Sequence, residues 1–171
     1  MKNIEIIAVN DHSIDNSLNI LQKLAKKDSR IKIININKNR GLLYARAMGI
    51  INSSGKYVMN LDPDDKISSK NNLEYLYEII KKTRADIINF GYLEGKQAKL
   101  KCSNINQILT QPQLFNFAFN SENNYLIDFV LWNKLIKKNL IIKAYKFFKK
   151  YIYSKKWNYG EDTVWSILIN F

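Results

Sequence analysis

Cysteine is almost absent from this chain of 171 residues: Cys102 stands alone. That excludes an internal disulfide framework and a cysteine-based zinc site, and it suits a reducing compartment. Histidine is as scarce, and His12 by itself fits a turn residue better than a metal ligand. No apolar run approaches the ~20 residues needed to span a bilayer. Met1-Lys2-Asn3 leads straight into Ile4–Val9, which is too short for a signal-peptide core and lacks a small-residue cleavage pattern. The expected compartment is therefore the cytoplasm. The chain has no glycine-rich phosphate loop, no internal repeat and no low-complexity linker. Acid is missing from one long stretch: between Asp128 and Glu161 there is none, while nine lysines lie there, from Lys134 to Lys156.

What remains is the composition of a soluble globular protein, 46% hydrophobic and 25% charged. The length suits one domain over residues 1–171, with 1–91 and 92–171 as its two halves. The formal charge of +12 is concentrated late in the chain. The lysine-rich segment would favour an anionic partner: nucleic acid, an anionic membrane surface or a phosphorylated substrate. It reads equally as a solvated face. Its aromatics, Tyr145 to Trp157, suit either a membrane interface or a core.

The first half alternates. Ile4–Val9 reads as a buried strand, Asn16–Lys27 as a helix with Leu18, Leu21 and Ala25 on one face, and Ile31–Ile36 as a second strand. A turn at Asn37–Gly41 leads to a helix over Leu42–Asn52. Strand Tyr57–Leu61, helix Asn71–Thr83 and strand Asp86–Phe90 follow. This β-α-β-α-β-α-β order predicts an α/β domain with a mainly parallel sheet flanked by helices. Ligands of such sheets gather outside the carboxyl ends of the strands, where Asp11 and Asp62–Asp65 both fall. After Gly91 the alternation stops. Residues 92–106 suit a hairpin, 112–119 a short helix, and Gly160-Glu161-Asp162 opens a last helix with Val164, Ile167, Leu168 and Phe171 on its apolar face.

Asp62-Pro63-Asp64-Asp65 is the most concentrated feature. Two carboxylates about 4 Å apart repel by roughly 4 kcal/mol at an effective dielectric of 20. A fold accepts that most easily where a cation or polyol sits. Pro63 fixes its own φ and stiffens the loop. The competing reading is a solvated turn in which Asp64 or Asp65 helps to start the next helix.

Five segments in consistent order resemble the family 2 glycosyltransferases of GT-A fold. Val9-Asn10-Asp11-His12-Ser13-Ile14-Asp15-Asn16-Ser17 resembles V-N-D-G-S-x-D-x-S. Asn39-Arg40-Gly41 with Ala45-Arg46 and Gly49-Ile50 resembles N-x-G…A-R-N-x-G-I. Gly55-Lys56-Tyr57 through Asp65 resembles G-x-Y…L-D-x-D-D, the family's D-x-D signature. Leu131-Trp132-Asn133-Lys134-Leu135 resembles W-N-K-L, and Gly160-Glu161-Asp162 the late G-E-D.

The resemblance implies a Rossmann-like GT-A fold and a nucleoside-diphosphate sugar as donor, with a UDP-sugar favoured. It also implies Mn²⁺ or Mg²⁺ and inversion at the anomeric carbon. Asp11 would contact the nucleoside, and Asn39 would join it in binding the nucleotide sugar. Asp62 would approach the ribose or the metal, and Asp64 would be the direct metal ligand. Asp162, with Glu161 beside it, is the matching general base, against a plain role for both acids at a helix N-terminus. Arg46 would face the diphosphate, or pair with Asp15 or Asp86. Trp132 would stack on an acceptor sugar or sit in a core. Lys134 would meet a phosphate or an acidic neighbour. The acceptor would be a glycan or a lipid-linked hydroxyl, with peripheral contact at the inner face of a membrane. No specific nucleic acid is expected.

Three departures stand out. His12 replaces the family's usual glycine, and Ala47 its usual asparagine. The family's first strand, P-x-Y-N loop and first helix have no counterpart. That leaves Ile4–Val9 with an open edge unless a preceding segment or a partner chain covers it. Two rival readings follow, a truncated and catalytically inactive GT-A remnant and a basic nucleic-acid-binding module.

Overall fold

The computed structural model describes residues 3–94, 97–99, 110, 112–113 and 131–154, and the single positions 162, 165 and 169. The ordered elements are β1 (Ile6–Asn10), α1 (Ser17–Lys27), β2 (Ile31–Asn35), α2 (Leu42–Asn52), β3 (Tyr57–Met59), α3 (Asn72–Thr83), β4 (Ile87–Asn89), β5 (Tyr92–Glu94), β6 (Gln97–Lys99), β7 (Lys134–Lys137) and α4 (Lys138–Ser154). The alternation expected of residues 4–90 is present, with strand ends trimmed by one or two residues. β5 and β6 pair antiparallel, as expected of the start of the hairpin. The rest of that hairpin, most of the helix expected at 112–119, and Glu161, Val164, Ile167, Leu168 and Phe171 lie outside the described residues.

β1 and β2 pair in parallel, Ile6 opposite Ile31 through Asn10 opposite Asn35. β3 and β4 do not pair with each other. β7 lies between them and runs antiparallel to both, with Ile136 opposite Val58 on one side and Ile87 on the other. β3 and β4 therefore run the same way, as crossover connections require. β7 and α4 are additions to the elements expected from the sequence. Among the described residues β1 has β2 as its sole strand partner, and Ile6 is 43% exposed.

Burial in α2 follows its spacing: Leu43, Arg46, Ala47 and Ile50 fall at i, i+3, i+4 and i+7. Gly41 precedes the helix at φ 86°, a conformation that a residue with a Cβ rarely adopts. The core forms where α2, β7 and α4 meet, from Leu43, Ala47, Ile50, Ile136, Ile141 and Ile152, with Trp165 and Ile169 added from the last helical residues. Each fully buried Leu or Ile there contributes about 1.5–3 kcal/mol. Ala47 thus packs in an apolar core, where an asparagine amide would need partners. No helix among the described residues is long and apolar enough to cross a membrane.

Glu5 ties β1 to the loop before β3. Its Oε1 accepts the Ser54 N–H, the Ser54 hydroxyl at 2.8 Å and the Gly55 N–H at 2.8 Å, and its Oε2 accepts Lys32 Nζ at 2.8 Å. The Lys32 hydrogen bond above all, then those from Ser54 and Gly55, hold its carboxyl down from 4.5 to about 2. A depressed carboxylate contributes stability above its unfolded pKa and loses it as pH falls through the folded value. That contribution is accordingly lost between about pH 4.5 and pH 2. Glu5→Gln is expected to lower stability at neutral pH by about 1 kcal/mol after solvent screening, and to flatten this acid limb. Urea denaturation across that pH range measures both effects.

Candidate functional site

The site forms at the carboxyl ends of β1 and β3 and the amino end of α2. Asp11 follows β1 directly. Its two carboxylate oxygens accept the backbone N–H groups of Arg40 (2.8 Å) and Gly41 (2.7 Å), at the start of α2. A carboxylate is favoured there because these two N–H groups lead into the positive end of the α2 dipole. Asn39 Nδ2 donates back to the Asp11 carbonyl at 3.0 Å. Asn10 Nδ2 donates to Asn35 Oδ1 at 2.7 Å and joins the ends of β1 and β2. Asp11 and Asn39 are thus brought together as a clamp between two loops, with lone pairs left on the carboxylate for a ligand.

His12 has φ 59°, in the left-handed region. This explains why the resembling motif carries glycine at that position. Histidine tolerates this region better than most residues, at a cost. His12→Gly is expected to raise stability by about 0.5–1 kcal/mol, since relief of strain exceeds the extra entropy that glycine loses on folding. Differential scanning fluorimetry should show Tm up by about 2 °C. A lower Tm would mean that the imidazole makes contacts worth more than the strain.

Asp62 leaves β3 into a turn in which the Asp65 N–H donates to the Asp62 carbonyl at 3.0 Å across Pro63 and Asp64. Proline at the second turn position sets the φ that such a turn requires. Asp64 and Asp65 are exposed and Asp62 half-buried. Two residues before Asp62, the Asn60 amide nitrogen is buried without a hydrogen-bond partner among the described residues.

Arg46 joins the D-x-D loop to a helical residue 116 positions further along the chain. Its guanidinium donates to Asp62 Oδ1 at 2.8 Å through one terminal nitrogen and to Asp162 Oδ1 through the other. The arginine side chain is 6% exposed, against 26% for Asp62 and 19% for Asp162. Neither structural partner weighed for Arg46 is the observed one. Asp15 accepts the Ser17 N–H (3.0 Å), and Asp86 pairs with Lys137 (2.6 Å). Asp162 reaches this point because Trp165 and Ile169, three and seven residues on, are buried in the core and fix the helical face they share.

The W-N-K-L element behaves differently. Asn133 and Lys134 are each 1% exposed, and Lys134 Nζ donates to Asn133 Oδ1 at 3.0 Å. The Asn133 carbonyl accepts the Phe90 N–H at 3.0 Å and docks the start of β7 against the end of β4. Of Lys134, expected to meet a phosphate or an acidic neighbour, the structure shows an enclosed side chain whose ammonium lies on the Asn133 carboxamide oxygen. Trp132 is half-buried beside it.

The model of glycosyl transferase family 2 matches residues 1–145. The cholesterol galactosyltransferase of Borreliella burgdorferi is 34% identical over 154 residues, 84% of this chain and 42% of that protein. Glycosyltransferase GlyG of Streptococcus pneumoniae is 32% identical over 81% of this chain and 48% of its own length. Among solved structures, TarS residues 1–349 from S. aureus superposes with a TM-score of 0.72 at 18% identity, over 96% of this chain and 45% of that one. The same TarS segment in complex with UDP superposes at 0.64, with 20% identity over 95% of this chain. The chain spans less than half the length of these relatives. The structural likeness gives the GT-A fold, and with the family match over residues 1–145 and the identity to curated glycosyltransferases, this chain belongs to glycosyl transferase family 2.

Proposed function

We propose that this chain carries the donor side of a glycosyltransferase that moves a sugar from a nucleoside diphosphate, UDP favoured, to a hydroxyl of a glycan or lipid-linked acceptor. The observation that carries this reading is the single guanidinium of Arg46 shared by Asp62 and Asp162. It sets the first acid of D-x-D beside the acid matched to the general base, so donor and proton acceptor would meet within one site. The UDP complex of TarS, a protein of the same fold, adds support for a uridine nucleotide.

In the inverting reaction the acceptor oxygen attacks the anomeric carbon as the bond from that carbon to the diphosphate breaks. The leaving diphosphate keeps the bonding pair. The hydroxyl proton passes to Asp162, a positioned base of a kind worth ~10²–10⁴-fold. Arg46 holds Asp162 at the site edge and keeps Asp62 turned toward the donor. Asp11, clamped on the start of α2, would accept from the nucleoside.

A divalent cation fits the donor set. Among the described residues no group of three or more His, Cys, Asp or Glu could hold a metal alone. Asp64 and Asp62 supply two carboxylates across a stiff turn. Mg²⁺ and Mn²⁺ suit such a site, because Mg²⁺ in particular keeps several waters and takes its remaining ligands from substrate phosphates. When bound, the cation would neutralise charge on the departing diphosphate.

Isothermal calorimetry with UDP tests the reading. Binding is expected with Mn²⁺ and is weakened about 100-fold on adding EDTA. Absence of binding under both conditions defeats it.

A further inference from the structure

We infer that the outer face of α4, with the lysine-lined groove at its start, is a docking surface for an anionic phospholipid bilayer. The lysine-rich stretch resolves into two faces. Ile141, Ala144, Tyr145 and Ile152 point into the core. Lys143, Lys146, Phe147, Lys150 and Tyr151 are exposed and fall at i, i+3, i+4, i+7 and i+8, one stripe along the opposite side. Phe147 is 76% exposed and Tyr151 51%. An exposed phenylalanine ringed by lysines is costly in water, and the combination matches a helix lying in a headgroup layer.

At its amino end the stripe runs into a groove of about 580 Å³ lined by Lys56, Lys137, Lys138, Lys143 and Lys146, with no acid in its lining. Lys137 is committed to Asp86 at 2.6 Å, and Lys138 to the Ser53 carbonyl. Lys56, Lys143 and Lys146 have no ion-pair partner among the described residues. Each lysine near an anionic surface contributes a modest, salt-sensitive attraction, while its stem packs along the apolar layer.

Charge alone would also suit nucleic acid, but the residue types favour lipid. Every cation on this face is lysine, a hydrated point charge, and none is arginine, the usual fork for phosphate and base edges. The other end of α4 meets the candidate site: the Tyr153 carbonyl accepts from Arg40 Nη2 at 3.0 Å, and the Tyr44 and Tyr153 rings meet edge-on at 5.3 Å. A helix of 17 residues spans roughly 25 Å, so a docked α4 would bring the carboxyl edge of the strands to the membrane surface.

Vesicle flotation with the whole chain tests this inference independently of the transferase reading, since UDP affinity is measured on the same variants. The chain should float with vesicles of equal parts phosphatidylcholine and phosphatidylglycerol, stay behind with phosphatidylcholine alone, and be released by raised salt. Removing Lys143, Lys146 and Lys150 together as glutamines should weaken binding about 100-fold, from about fivefold each. Phe147→Ala should weaken it about tenfold and make the remainder more salt-sensitive. All four side chains are exposed, so circular dichroism and Tm should match the wild type. No flotation with anionic vesicles, or undiminished flotation of the variants, overturns the inference. Tighter binding to a single-stranded oligonucleotide, lost in the same variants, would reassign the face to nucleic acid.

Discussion

Arg46→Met is expected to lower stability by about 3 kcal/mol and Tm by about 10 °C, the largest loss for any single polar residue described. The arginine side chain is 6% exposed and neutralises two carboxylates whose sequence positions are 100 residues apart. Removing it leaves Asp62 and Asp162 without the guanidinium they share. Breaking a fully buried pair costs about 3–5 kcal/mol. Asp62 and Asp162 keep 26% and 19% exposure, so water recovers part of the loss and the lower end applies. Methionine keeps the apolar stem beside Leu43, Ala47 and Ile50, which isolates the charge from the packing. Arg46→Lys should restore only part, because one ammonium cannot hold two acids in the fork of a guanidinium. Combining Arg46→Met with Asp62→Asn and Asp162→Asn should recover most of the loss, and a double-mutant cycle reads the coupling directly. A change under about 0.5 kcal/mol for Arg46→Met in urea denaturation would sink the idea that this bridge holds the last helix to the D-x-D loop.

The reach of the sequence follows from what each segment must satisfy. Ile6–Val9 and Ile31–Ile34 are β-branched runs closed by Asn and turn residues, so both strands are legible without a partner in view. Leu42–Asn52 was placed to the residue, because Gly41 supplies a stop and Leu43, Ala47 and Ile50 supply the period. β7 was not legible. Lys134-Leu135-Ile136-Lys137 is short and bounded by lysine, and its pairing with two strands over 40 residues upstream leaves no local trace. The burial of Lys134 is not legible for the same reason: a lysine reads as surface, while this one is 1% exposed. In α4 the helical period was present in Ile141, Ala144, Tyr145, Phe148 and Ile152, but the charge pattern drew the reading toward partners instead. Asp11, Asp62 and Asp162 were each legible as candidates through their motifs. Their joining was not, since the Arg46 contact with Asp162 spans 116 positions. No periodicity reports a contact of that kind.

Asp64→Asn is expected to weaken Mn²⁺-dependent UDP binding about 100-fold, or about 2.7 kcal/mol, with Tm unchanged within about 1 °C. The two acids of D-x-D differ in how the fold uses them. Asp62 is half-buried and spends one oxygen on Arg46, so its loss should reduce stability and binding together. Asp64 is exposed on the turn, and the turn is closed by backbone atoms, the Asp65 N–H on the Asp62 carbonyl at 3.0 Å. Removing its charge therefore leaves the turn intact and takes away a hard oxygen ligand that a divalent cation prefers. UDP binding measured in EDTA should be equal for wild type and Asp64→Asn, because the nucleoside contacts are untouched. Asp65→Asn is the control: its side chain is as exposed and as close in sequence, but its role in the turn is carried by its backbone N–H. If Asp64→Asn bound UDP like the wild type while Asp65→Asn lost the Mn²⁺ response, the metal would belong to Asp65 and the D-x-D register would shift by one residue.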